Sequence, residues 1–239
     1  MRQHPTKHFE KNTRGRDLII GDIHGHFTRA KEALDAAGFN PEAGDRLFSV
    51  GDLVDRGPES DQALEWLANP WFHAVAGNHE DFAIRWPQGN MQAGHYVQNG
   101  GAWNVSNPPD AQAEFAAAFA ALPVAIELET AGGLVGIVHA DCPFDSWPDF
   151  IATLNDESVP HGMMKDVIDA AQWSRERVKN LFREEVRGVR AVIVGHTPME
   201  RLSSLGNTIF IDTMGWRPHG HFTLLDAETL LPAAPRMVE

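Results

Sequence analysis

Five short blocks carry residue types that can do metal chemistry: Gly-Asp22-Ile-His24-Gly, Gly-Asp52-Leu-Val-Asp55-Arg56-Gly, Gly-Asn78-His79-Glu80, Val-His139-Ala and Gly-His196-Thr. Together they offer carboxylates, an amide oxygen and imidazoles without thiolate, a set that suits manganese, iron or zinc better than copper(I). Asp22 and His24 lie two residues apart, so on a turn both can face one ion. Asp52 has two oxygens, one for each of two ions. Asn78 offers a neutral carbonyl oxygen, and His139 and His196 offer ring nitrogens. If Asp52 bridges, two carboxylates leave a divalent pair with roughly two unneutralised positive charges, the excess that a hydroxide nucleophile and a phosphate dianion require. A single Gly-Asp after a strand is ordinarily a turn, and a single strand-end histidine is ordinarily a hydrogen-bonded structural residue. Five such blocks in series point instead to hydrolysis of phosphate esters with two metal ions.

The blocks need a rigid frame. Four of them follow an apolar run that reads as a buried strand, and the Asn78 block follows a weaker one. Strands are expected at Leu18-Ile19-Ile20-Gly21, Leu47-Phe48-Ser49-Val50 and about His73–Ala76. Helices are expected over Phe27 to Ala37, stopped by Gly38, and from Ser60 to Leu67. This alternation marks an α/β layered fold. Residues 86–109 carry seven Gly or Pro and read as a long irregular segment, a length uncommon in loops without function. An Ala-rich helix from Asp110 to Ala121 ends at Pro123, and β-like runs follow at Val124–Leu128 and Leu134–Val138. One helix is expected over Met164 to Val186, then a strand at Ala191–Val194 and a terminal hairpin from Thr208–Ile211 and Phe222–Leu225. The β-rich second half argues against a purely parallel sheet. Two packed mixed β-sheets, a central sandwich flanked by helices, fit better.

At 239 residues and 43% apolar content the chain reads as one domain, residues 17–239, behind an N-terminal extension, 1–16. Cys142 is the single cysteine, which rules out an intrachain disulfide and a Cys-rich zinc site. No apolar leader opens the sequence and no stretch reaches the ~20 apolar residues that cross a bilayer. These features predict a cytoplasmic protein that does not engage membranes. The net charge of −13 argues against non-specific nucleic-acid binding, which needs a basic face. An acidic chain that acts on phosphates must make its pocket locally positive with metals and a few arginines.

These residues resemble the calcineurin-like metallophosphoesterases, in the phosphoprotein phosphatase branch, and among them the small phage-type and bacterial serine/threonine phosphatases. The resemblance runs from about Asp17 to Leu225. It includes Asn99-Gly100-Gly101, His139-Ala140-Asp141 with Pro143-Phe144-Asp145, Trp173-Ser174-Arg175-Glu176-Arg177 and Ile211-Asp212-Thr213. It implies one metal held by Asp22, His24 and Asp52, and another held by Asp52, Asn78, His139 and His196, with manganese the expected ion. A hydroxide between the ions would attack phosphorus in line. His79 would protonate the leaving oxygen with Asp55 behind it, and Arg56 and Arg175 would clamp the phosphate. The implied substrates are phosphoserine and phosphothreonine in proteins or peptides, with phosphotyrosine left open and small aryl phosphates in vitro.

Many relatives carry Arg just before Gly-Asn-His, where this chain has Ala76. Arg177 is a candidate replacement, with plain helix-surface charge as the alternative. His26 is expected to face solvent or stand behind the ligands, Asp141 to support His139 or simply to turn the chain, and Cys142 to pack passively. Diadenosine tetraphosphate hydrolases share the Gly-Asp-Leu-Val and Gly-Asn-His motifs. They typically lack the Asp at the position of Asp55 and carry Asp where this chain has Glu80. A catalytically silent metal-binding scaffold would have lost a ligand, His79 or Arg56, and none is lost.

Overall fold

Alternate side chains of a strand point to opposite faces, and here both faces are buried, so each central strand feeds two cores. In β2 (Asp17–Ile20), Leu18 and Ile20 pack toward helices while Ile19 packs between two sheets. In β3 (Arg46–Ser49), Leu47 and Phe48 divide the same way. In β7 (Ala191–Val194), Ala191 and Ile193 face the other sheet while Val192 and Val194 face the helices beyond. Unbroken apolar runs of this kind imply helix, sheet, sheet, helix layering, and the computed structural model, described over residues 5–234, shows it.

One sheet holds β2, β3 and β4 (Phe72–Ala74) in parallel, with β10 (Leu224–Asp226) and β11 (Leu231–Pro232) added antiparallel, in the order β11-β10-β2-β3-β4. The other runs β1-β5-β6-β7-β9-β8, from β1 (Thr6–Phe9), β5 (Ala125–Thr130), β6 (Gly133–Val138), β8 (Ser203–Leu205) and β9 (Thr208–Phe210) with β7, and β6, β7 and β9 lie parallel. Both sheets are mixed, as the sequence predicts. Against the first pack α1 (Phe27–Ala36), α2 (Ala63–Leu67), α3 (Asn78–Arg85) and α6 (Pro109–Ala120), and α4 (Ala93–Gln98) and α5 (Ala102–Val105) lie beside them. Against the second pack α7 (Trp147–Asn155) and α8 (His161–Trp173), and α9 (Glu176–Asn180) follows. Among the described residues no helix is long and apolar enough to cross a membrane.

Four expectations change. The terminal runs form no hairpin: β9 joins β8 in one sheet and β10 joins β2 in the other, because a short apolar run does not specify its partner. The long helix over 164–186 breaks after Trp173, where Ser174 takes an extended backbone, and α9 ends at Leu181 in a left-handed one. Residues 86–109 contain α4 and α5 rather than plain loop. Residues 6–9, assigned above to an extension, pair in parallel with β5 at the sheet edge. There Phe9 meets Phe48 and His73 at ring distances of 5.0 and 4.4 Å, closing one side of the sandwich.

His73 gives this closure a pH dependence. Burial, reinforced by Lys7 and Arg46, lowers its pKa to about 4. The folded protein therefore keeps His73 neutral while the unfolded chain takes up a proton near the ordinary value of 6.5. Its contribution to stability is full above pH 6.5 and declines as pH falls toward 4. Urea unfolding of wild type and His73→Phe at pH 7 and pH 4.5 should show a smaller acid loss in the variant. Equal losses would remove His73 as the cause.

Candidate dinuclear metal centre

Five parallel strands deliver the donor residues to one edge of the sandwich: β2 leads to Asp22 and His24, β3 to Asp52, β4 to Asn78, β6 to His139 and β7 to His196. The turns that aim them are strained. His24, Asp52, Asp55, Arg56 and His196 all hold left-handed backbones, with φ between +44° and +71°. Each such residue costs on the order of 1 kcal/mol or more, a burden that persists only where surrounding bonds enforce it.

At Asp52 the enforcing group is Glu80. Its buried carboxylate accepts N–H bonds from Asp52 (2.8 Å), Leu53 (2.8 Å) and Gly77 (2.7 Å), joining the β3 exit to the first turn of α3. Asp52 returns the link, its Oδ1 accepting the His79 N–H at 3.0 Å near the positive end of that helix. Gly77 is required here, because a Cβ would stand 2.2 Å from Asp52 Oδ1. A glutamate can bridge to residues 52 and 53 while still bonded to Gly77. An aspartate is one methylene shorter.

Three imidazoles are aimed by the same device. Each ring sets one nitrogen against a backbone carbonyl, His24 Nδ1 on Val54 (3.0 Å), His139 Nδ1 on Val50 (2.7 Å) and His196 Nε2 on Trp173 (3.2 Å). A carbonyl only accepts, so those nitrogens carry the hydrogens and the opposite ones face inward, the arrangement of metal-binding histidines. Asn78 Oδ1 lies 3.0 Å from His139 Nε2 and 2.9 Å from His196 Nδ1, and Asp52 Oδ1 lies 3.3 Å from His139 Nε2. On the other side, His24 Nε2 is 3.5 Å from Asp52 Oδ2 and 3.8 Å from Asp22 Oδ2. Asp52 therefore turns one oxygen to each cluster. Two triads, His24/Asp52/His79 and Asp52/His139/His196, each hold their ligand atoms within 4.8 Å of one another.

Charge agrees with a cation-binding site. Burial, then Asp212 and Asp52 beside it, raise the Asp22 carboxyl well above the usual range. For Asp52 burial alone would raise the pKa, but His139 and His79 hold it well below. Burial holds His24 neutral and lowers His196 to about 3, so both present lone pairs. Burial also opposes protonation of His139, yet Asp52 overcomes it and lifts that ring to about 9, where a divalent cation competes with the proton. Asp212, at the β9 exit, is buried with Oδ2 unpartnered. Crowded buried carboxylates beside inward-facing imidazole lone pairs fit two divalent ions.

His79 lies within reach of Asp52 and His24 but differs from the other histidines in that its second nitrogen faces a carboxylate rather than a backbone carbonyl. Its Nδ1 meets Asp55 Oδ2 at 2.7 Å, while Arg56 donates from Nη2 to His79 Nε2 (3.1 Å) and from Nη1 to His24 Nε2 (2.7 Å). Arg175 sits in the break between α8 and α9, donating to the His196 carbonyl at 3.2 Å. Arg56, Arg175 and Arg217 line a cleft of about 510 Å³ over His196. Arg177 is not helix-surface charge: it is buried, donating to Asp141 at 2.8 Å and to the Glu184 carbonyl at 3.0 Å. Asp141 thus braces Arg177 rather than His139. His26 is bonded to the His24 carbonyl, Ala76 is wholly buried, and the Cys142 thiol is buried with its pKa pushed up to about 12.

At the mouth, sequence reasoning missed Trp216 and left Asp212, quoted in the Ile211-Asp212-Thr213 motif, without a role. Trp216 carries the Arg56 guanidinium over its ring at 4.4 Å and donates to Asp212 at 3.3 Å. An isolated tryptophan after a strand leaves no signal. Asp212 followed an apolar run, as the ligand blocks do, and that was the available clue.

The comparisons agree with this geometry. The family model for calcineurin-like phosphoesterases matches residues 16–200. Serine/threonine-protein phosphatase 2 of Salmonella typhimurium is 34% identical over 82% of this chain and 85% of its own length. The asymmetrical bis(5'-nucleosyl)-tetraphosphatase PrpE of Geobacillus thermodenitrificans is 27% identical over 82% and 84%. A solved serine/threonine phosphatase from Saccharomyces cerevisiae superposes with a TM-score of 0.63 at 17% identity, covering 99% of this chain and 82% of that one. The chain belongs to the calcineurin-like phosphoesterases. It is an enzyme of the phosphoric-ester hydrolase class that uses divalent metal.

Replacing Glu80 tests the brace. Glu80→Gln turns an amide N–H toward backbone donors and should cost about 1–3 kcal/mol for each group left unpaired. Glu80→Asp should lose the bonds to residues 52 and 53. Both should unfold at lower urea and bind metal more weakly. Unchanged unfolding and metal affinity would show the brace is dispensable.

Proposed function

We propose that this chain is a serine/threonine protein phosphatase, hydrolysing phosphoserine and phosphothreonine in proteins and, in vitro, small aryl phosphates. The observation that carries the reading is the buried His79–Asp55 pair at 2.7 Å beside the donor set. A departing seryl alkoxide is a strong base and needs a proton, which an imidazole backed by a carboxylate can supply. We assign one ion to Asp22, His24 and Asp52, the other to Asp52, Asn78, His139 and His196, and take manganese as the ion, with iron or zinc as alternatives. When bound, such ions neutralise phosphate charge and acidify the attacking water.

Arg56 and Arg175 are assigned to the phosphate oxygens, for which a planar fork is well shaped. A guanidinium and a divalent ion cannot share the lone pair of His24 Nε2. An ion bound there would therefore require Arg56 to leave His24 Nε2 for the mouth, where Arg175 and Arg217 stand. Leaving His79 Nε2 as well would let that nitrogen carry the proton it donates. The acidic chain and its one buried thiol support work on proteins in the cytoplasm rather than on nucleic acid or membranes.

The tetraphosphatase relative supports a second reading, hydrolysis of a dinucleoside tetraphosphate. Asp55 and Glu80 favour the first. The test is metal-free enzyme reconstituted with each ion and assayed side by side on phosphopeptides and diadenosine tetraphosphate. The phosphopeptide should have the higher kcat/KM. The reverse order would reassign the enzyme, and no turnover of either with two ions bound would make it a scaffold.

His79→Asn separates motif from mechanism. It should lower turnover of a phosphoserine peptide on the order of 10²–10⁴, as general-acid loss does, and markedly less for p-nitrophenyl phosphate, whose leaving group hardly needs a proton. Both ions should remain bound. Equal losses on the two substrates would instead give His79 a role in positioning.

A further inference from the structure

The Asn99-Gly100-Gly101 motif takes no part in the donor set, yet its segment touches both residues that flank the candidate acid. Gly100 holds a left-handed backbone at φ +100°, and its carbonyl accepts the Arg56 N–H at 3.4 Å. A Cβ at Gly100 would stand 2.3 Å from that same nitrogen, so only glycine allows this approach. Immediately beyond the turn, Trp103 Nε1 donates to Asp55 Oδ1 at 2.7 Å. The other oxygen of Asp55 is the one that meets His79.

Asp55 is therefore held at both oxygens. A carboxylate bonded through one oxygen alone can pivot about its last torsion, and the imidazole it supports pivots with it. A second donor on the opposite oxygen fixes the plane. The donor is itself anchored in helical structure rather than at a loop tip. The Trp103 ring packs edge-on against Phe115 of α6 at 4.8 Å. The next residue, Asn104, is buried and bonded through its side chain to the Tyr96 hydroxyl (3.2 Å) and through its carbonyl to Gln112 (3.0 Å).

We propose that Trp103 is a positioning residue for the Asp55–His79 pair, delivered to Asp55 by the Asn-Gly-Gly turn. The proposal rests on the reading of that pair as catalytic given above. A tryptophan that merely fills space would be served by any acceptor for its N–H. This one spends its N–H on the carboxylate that orients the candidate acid. Trp103 thereby links the segment walling the mouth to the reacting end of the site.

The test is a double-mutant cycle on metal-loaded enzyme. Trp103→Phe keeps the ring against Phe115 and removes the donor. It should lower kcat on a phosphoserine peptide about tenfold with KM unchanged, the scale of one lost hydrogen bond to a charged group. In an Asp55→Asn background the same change should have no further effect, because the two residues act as one unit. Phe115→Leu, which loosens the same packing without touching Asp55, should leave kcat within about twofold, and thermal unfolding should show all variants folded. Unchanged kcat in Trp103→Phe, or a loss that multiplies fully with that of Asp55→Asn, would overturn the proposal. The acid reading stands or falls separately, on the leaving-group comparison with His79→Asn. A cycle without additivity supports the brace whichever chemistry His79 performs.

Discussion

Three backbone N–H groups converge on the buried Glu80 carboxylate, and through it the exit of β3 and the start of α3 become one rigid piece. Asp52 sits on that piece in a left-handed backbone, with one oxygen toward His24 and the other toward His139. Shifting it would break the link to His79 N–H and misplace both clusters at once. The strain of five left-handed residues is tolerable because bonds of this kind hold each one. His196 shows the same logic, its N–H donating to both oxygens of Asp22 at 3.1 and 3.2 Å.

The surface around this frame resolves a conflict of charge. A chain of net charge −13 repels phosphoesters at long range. At the mouth three arginines gather, and Trp216 lies between two of them, with the Arg56 and Arg217 guanidiniums at 4.4 and 4.5 Å from its ring. The positive patch is local, and with divalent metal beneath it the mouth attracts what the rest of the surface repels. A second cleft of about 420 Å³, lined by Phe82, Arg85, Met91, His95 and Trp173, opens beside it.

The candidate site was legible because each donor follows a strand whose apolar run is visible without any contact information. Asp22, Asp52, His139 and His196 all announce themselves this way, and the structure brings all six predicted metal donors together. Pairing was less legible. Thr208–Phe210 and Leu224–Asp226 have the composition of a hairpin yet serve different sheets, since partner choice depends on the turn and on long-range packing. Helix ends depend on single backbone angles, so the break at Ser174 that frees Arg175 was hidden inside a helical pattern. Trp103 and Trp216 act through one N–H or one ring face each, and nothing in a spacing pattern records that. The Asn99-Gly100-Gly101 motif was visible, but its purpose required seeing Arg56 against it.

Metal stoichiometry of wild type and Asp52→Asn, measured on folded protein by titration with manganese and by elemental analysis, tests the account at its centre. If Asp52 bridges, wild type should hold two ions per chain. The variant should hold one or none and lose nearly all turnover. Two tightly bound ions with near-normal kcat/KM in Asp52→Asn would contradict the account.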